Sequence, residues 1–146
     1  MRGNKNIRST IGIDPQVITG AAAPGTVVKG AAVDRKGFEE ALVTLQHGAV
    51  AAGGTLSVKV QESPTITDGD FVDVADAAFT EVAGGAQVTS GVFVGRLNLT
   101  GRKRYLRVVA TVVGADKTAM VSALMTLHLA RELPVSQVNN LSFNVS

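Results

Sequence analysis

Few side chains in this sequence could do chemistry, and their spacing does not favour it. The two histidines, His47 and His128, stand eighty-one positions apart, with none of the short spacings that build zinc ligand sets, and there is no cysteine to supply a thiolate. Nucleophilic catalysis has no visible seat either. No Gly-x-Ser-x-Gly elbow occurs, and Gly84-Gly85 lacks the following Lys-Ser/Thr that would make it a phosphate cradle. The acidic run Asp68-Gly69-Asp70-Phe71-Val72-Asp73-Val74-Ala75-Asp76 offers the oxygen ligands that hard cations need. An EF-hand loop, however, wants a carboxylate at its fifth position and a glycine at its sixth, where Val72 and Asp73 stand. A solvated loop is therefore expected, with a cation site or an electrostatic docking patch as the alternatives. Taken together, these residues predict no catalytic group, no metal and no cofactor.

The remaining constellation is basic. Arg102, Lys103 and Arg104, followed by Tyr105 and Arg107, could neutralise phosphates beside one stacking ring. With one tyrosine, five phenylalanines and no tryptophan in 146 residues, the aromatic interleaving of a nucleic-acid binder is missing. A wet turn or a protein-docking contact is expected there, with no direct nucleic-acid partner. The net charge of +2 conceals segregation: residues 1–37 hold six bases against two acids, 62–81 hold six acids and no base, and 96–107 hold five bases and no acid. Complementary patches of this kind steer encounter and set register between protein surfaces. Charged residues that simply stay solvated are the plainer explanation.

The elements that must carry these residues have period two. Leu56, Val58 and Val60 alternate with Thr55, Ser57, Lys59 and Gln61, the pattern of a half-buried strand. Residues 104–113 alternate similarly, with apolar residues on both faces and a high β-branched content. Further strands are expected at 26–33, 39–46, 71–74 and 92–99, separated by turns rich in Gly, Pro and Asp. Residues 117–132 are ambiguous, because Val121, Ala123, Met125, Leu127 and Leu129 alternate while Met120, Leu124, Leu127 and Arg131 also fit helical spacing. The turn signal Gly114-Ala115-Asp116-Lys117 favours a strand, joined to the preceding one in a long hairpin. Residues 1–25 read as an extended arm, loose until assembly, that ends at Ala21-Ala22-Ala23-Pro24-Gly25. Residues 26–132 are expected to form one antiparallel β-sandwich, and 133–146 a polar tail with Phe143 as its large anchor. No apolar run of membrane-spanning length occurs and no secretory leader is read, so no membrane partner is expected.

Three stretches carry a resemblance. Gly54-Thr55-Leu56-Ser57-Val58-Lys59-Val60-Gln61-Glu62-Ser63, then Gly69-Asp70-Phe71-Val72-Asp73-Val74, then Gly101-Arg102-Lys103-Arg104-Tyr105-Leu106-Arg107-Val108 resemble the cement, or decoration, proteins of tailed-bacteriophage capsids. The similarity covers roughly residues 37–134. It implies an all-β jelly-roll sandwich on the outer surface of a virion, assembled in the host cytoplasm. There it would bind the major capsid protein and stabilise the shell by bridging capsomers, often as a homotrimer. The resemblance supplies no matched binding residue, so contacts are nominated from the chain itself: Arg2, Lys5, Arg8, Ile11 and Ile13 in the arm, and Arg102, Lys103 and Arg104 in the basic turn. The alternative is a head–tail joining or tail-tube protein, equally small, β-rich and without catalytic groups. Symmetry separates the two, since a joining protein closes into rings of about six or twelve copies whereas cement is monomeric or trimeric.

Overall fold

The computed structural model describes residues 7–85 and 90–130. Two antiparallel sheets face each other. The first is ordered β1 (Ile7–Thr19), β10 (Thr118–Ala130), β4 (Phe38–Val50), β8 (Gly91–Asn98). The second runs β2 (Thr26–Lys29), β9 (Tyr105–Val113), β5 (Thr55–Ser63), β6 (Val72–Ala78), with the two-residue strands β3 (Val33–Asp34) on β9 and β7 (Val82–Ala83) on β5. If the two short strands are set aside and the remaining eight lettered B to I, the sheets read B-I-D-G and C-H-E-F, which is the jelly roll. Among the described residues no helix is long and apolar enough to cross a membrane.

Alternation builds this architecture. In β5, Leu56, Val58 and Val60 are buried at 1–4% exposure, and in β10 Val121, Ala123, Met125 and Leu127 point inward beside Ala41, Val43 and Leu45 of β4. Burying each such large aliphatic side chain stabilises the fold by about 1.5–3 kcal/mol. The residues from 117 onward form a strand because their inward positions repeat every second residue. The helical spacing of Met120 and Leu124 is compatible with this, since positions four apart share a face in a strand too.

The structure departs from the sequence expectations in two places. Residues 7–19 are not a loose arm but an edge strand, paired with β10 from Ile7↔His128 to Thr19↔Thr118, with Ile13 and Ile18 at 2% and 3% exposure in the core. The sandwich therefore begins before residue 26. The second departure is the turn at 114–117, which does not close a hairpin. β9 lies in one sheet and β10 in the other, and the connection arches across the end of the sandwich, with Gly114 N–H donating to the Ala21 carbonyl at 2.8 Å. Gly114 has φ +125°, and a Cβ there would come within 2.8 Å of Lys117, so the arch depends on glycine. The proposed tail at 133–146, with Arg2 and Lys5, lies outside the described residues.

Candidate interaction surface

The two outer faces of the sandwich differ in kind. The β2-β9-β5-β6 sheet carries a polar network on its outer side, with a separate Ser57–Glu81 pair beside it. Asp68 accepts from Lys29 at 2.8 Å and from Arg107, whose Nε donates to Gln61 Oε1 at 2.8 Å. Gln61 in turn donates to Asp73, which also pairs with Lys59 at 2.7 Å, and Ser57 donates to Glu81 at 2.8 Å. Hydrogen bonds from Lys29 and then Arg107 hold the Asp68 carboxyl below the usual carboxylate range, and Lys59 and Gln61 do the same for Asp73. Arg107 is the buried member, with its guanidinium carbon 4.0 Å from the Phe71 ring centroid. Asp68 and Asp73 of the acidic run are thus paired with the chain's own bases, and Asp70 accepts from the Thr65 hydroxyl. Among the described residues no three His, Cys, Asp or Glu side chains gather to hold a metal.

The basic turn is also tied inward. Arg104 makes a forked pair with Asp34 at 2.8–3.3 Å, which draws the Asp34 carboxyl below its ordinary value against the opposing effect of burial. Arg102 faces Glu62 at 3.8 Å, and Glu62 also accepts from the Lys103 backbone N–H at 3.0 Å. Arg35 donates to the carbonyls of Lys103 and Arg102. Of the three nominated bases, Arg102 and Arg104 hold the connection between β8 and β9, while Lys103 is exposed.

The β1-β10-β4-β8 sheet is different. Its strand register places Ile11, Leu124, Thr44 and Val94 in one row across all four strands. The neighbouring rows carry Val92 beside Gln46 and Ser122, and Val17 beside Met120. Ile11, Val17, Val92, Val94, Met120 and Leu124 are 43–60% exposed, six of the ten large exposed hydrophobics of the described residues, so apolar exposure concentrates on this face. Polar positions lie along one end of it, where Ser9 meets Thr126 at 3.2 Å and His128 Nε2 lies 3.5 Å from Glu40.

This geometry sorts the nominated arm residues. Ile11 belongs to the exposed row. Ile13 cannot touch a partner, because a bulge at Gly12 shifts the register between Ile11↔Leu124 and Ile13↔Ala123 and turns the second isoleucine to the core. Arg8 is used at home, with its guanidinium 5.1 Å from the Phe38 ring centroid and donating to the Asp34 carbonyl. The histidines do not converge: His47 is buried and stacks on Phe93 at 5.7 Å, whereas His128 faces outward on the same sheet. The sequence reading missed Val92, Val94, Met120 and Leu124 as surface residues. Their signal was present as strands that are apolar on both faces, but local pattern does not say which face is covered.

No protein-family model matches the chain, and no curated protein does. Solved structures do. A structure of infectious bursal disease virus, Gx strain, superposes with a TM-score of 0.60 at 9% identity, over 85% of this chain and 32% of that one. The infectious bursal disease virus VP2 subviral particle gives a TM-score of 0.59 at 10% identity, over 88% of this chain and 34% of that one. The chain spans about a third of the length of these neighbours, and at this identity the likeness is one of fold.

Proposed function

We propose that this chain is a structural protein of a virion, a cement or decoration protein that binds the outside of a tailed-bacteriophage capsid and stabilises it by bridging capsomers. The observation that carries the reading is the contrast between the two outer faces. The β2-β9-β5-β6 face pairs Asp68 and Asp73 with Lys29, Arg107 and Lys59 and suits water. The β1-β10-β4-β8 face leaves six large aliphatic side chains uncovered and suits a protein surface. Four strands at about 4.8 Å spacing and up to 13 residues long make a footprint of roughly 800 Å², the share each partner gives to an interface of standard size. The motif resemblance to phage cement proteins and the shared fold with a viral capsid domain point the same way.

In this reading the partners are the major capsid protein and other copies of the chain, arranged as a homotrimer at capsomer junctions. Each copy adds contact area that must be separated before the shell ruptures, and several copies around a junction act multivalently. The test is co-sedimentation with emptied, expanded shells, comparing wild type with the double variant Val94→Glu/Leu124→Glu. Both sites are exposed, so circular dichroism and melting should be unchanged while shell binding falls at least about tenfold. Undiminished binding by the folded double variant would overturn the assignment of this face. A closed ring of about six or twelve copies in light scattering, bound to portal or tail rather than shell, would establish the joining-protein alternative instead.

A further inference from the structure

A cleft of about 590 Å³ runs between the β6 region of one sheet and β8 of the other, floored by Val43, Val60, Phe79 and Phe93. Small-molecule sites span roughly 300–1,000 Å³ and combine a mainly apolar lining with a few placed polar groups. This cleft has both.

Its aromatic floor is fixed from behind. The Phe79 N–H donates to the Val58 carbonyl at 2.9 Å, and the ring lies against β8 at Gly95, where a Cβ would come within 3.2 Å of two ring atoms. Phe93 stands 6.2 Å from Phe79 with the ring planes at 45°, and His47 backs it at 5.7 Å. Both phenylalanines are only partly buried, so each pairs a supported side with ring surface left over.

The polar groups are set by an irregular strand. β6 pairs with β5 at Gln61↔Asp73 and at Lys59↔Ala78, so residues 74–77 stand against Val60 alone and the strand bulges. Within the bulge Asp76 takes φ 61°, the left-handed backbone that L-residues other than glycine avoid, and its residue lines the cleft. Arg96 and Asn98 of β8 and Thr80 line it too. Among the described residues no hydrogen bond or ion pair engages the Asp76 carboxylate or the Arg96 guanidinium. Asn98 Oδ1 accepts from the Thr100 N–H at 2.8 Å, which leaves its amide group to donate. Arg102, also in the lining, already faces Glu62 at 3.8 Å.

This set selects its ligand by elimination. An anion would meet Asp76, a cation would meet Arg96, and a purely apolar molecule would strip water from both without replacing it. A neutral molecule rich in hydroxyls answers each group, because a hydroxyl both donates and accepts, and the C–H face of a sugar ring can pack on the phenylalanines. We propose that this cleft binds a neutral saccharide, with Phe79 and Phe93 under the sugar ring, Asp76 accepting from its hydroxyls, and Arg96 and Asn98 donating to them. The proposal stands apart from shell binding and is tested on the isolated protein.

The experiment is a nuclear magnetic resonance titration of the full chain, labelled with nitrogen-15, using maltotetraose, cellotetraose and chitotetraose as separate probes up to millimolar concentration. At least one should give saturating amide shifts confined to residues 75–80 and 93–98. Arg96→Ala should weaken that binding about tenfold, and Asp76→Asn should weaken it as well, since asparagine tolerates the left-handed backbone but loses the charge. Unchanged amide positions away from the cleft report that both variants remain folded. No saturating shift with any of the three sugars would overturn the proposal, as would shifts elsewhere in the chain or equal binding by both variants. Tetramethylammonium or inorganic phosphate binding the same amides more tightly than every sugar would also overturn it, in favour of an ion site.

Discussion

Ile13→Ala is the sharpest perturbation, because a loose arm and a built-in strand give opposite answers. Ile13 is 2% exposed, on the core side of β1 opposite Ala123, and Ile11, two positions earlier, is 45% exposed on the outer face. Truncating a fully buried isoleucine costs about 2–5 kcal/mol, through lost transfer energy and the cavity left behind. Truncating Ile11, about half of whose surface already meets water, should cost about 1 kcal/mol. With a urea m-value of about 2 kcal/mol/M, a loss of about 3 kcal/mol lowers the unfolding midpoint by about 1.5 M, against about 0.5 M for Ile11→Ala. The assay is equilibrium urea unfolding followed by far-ultraviolet circular dichroism, with m-values compared so that the midpoints report stability alone. Equal midpoints for wild type and Ile13→Ala, within about 0.3 M, would refute the placement of β1 in the sheet and restore the arm. The same reasoning says that a chain lacking residues 1–25 should fail to fold. It loses Ile13, Ile18 and the whole β1–β10 ladder from a total stability of about 5–15 kcal/mol.

Two further outcomes follow from particular contacts. Arg104 holds the Asp34 carboxyl below its unfolded value of about 3.9, so the pair stabilises the fold above that pH and its contribution is lost as pH falls through the lowered folded value. Melting temperatures of wild type and Asp34→Asn should differ near neutrality and converge in strong acid, and a gap that persists at the lowest pH would show the effect to be packing instead. At Gly30 a Cβ would collide with the Gly12 carbonyl oxygen and come within 3.0 Å of the Val108 carbonyl, while at Gly69 nothing lies within 4 Å. Gly30→Ala should therefore destabilise by about 1–3 kcal/mol in thermal unfolding, and Gly69→Ala should leave the midpoint within experimental error.

Strand positions were the most legible part of the fold. Alternation is a property of adjacent residues, so β5 and β9 could be read almost to their ends, and 39–46 and 92–99 fell inside or across β4 and β8. The candidate surface was less legible. Ile11 was identified, but the residues beside it in the row come from strands more than thirty positions away, and only register brings them together. The basic turn looked available in sequence because its counter-ions Asp34 and Glu62 are equally remote.

What the sequence by itself determined is the class: period-two runs punctuated by turn residues make strands. Tertiary structure decided everything that depends on long-range pairing. Ile7 meets His128 across more than a hundred residues, which turns an apparent arm into an edge strand. A single bulge at Gly12 sends Ile11 outward and Ile13 inward, although period two would put both on one face. The turn at 114–117 carries the chain from one sheet to the other instead of folding it back, because β9 is already flanked by β2 and β5, and β10 by β1 and β4. Local pattern specifies that a strand forms, whereas the free energy of closing the sandwich selects its partners and its buried face.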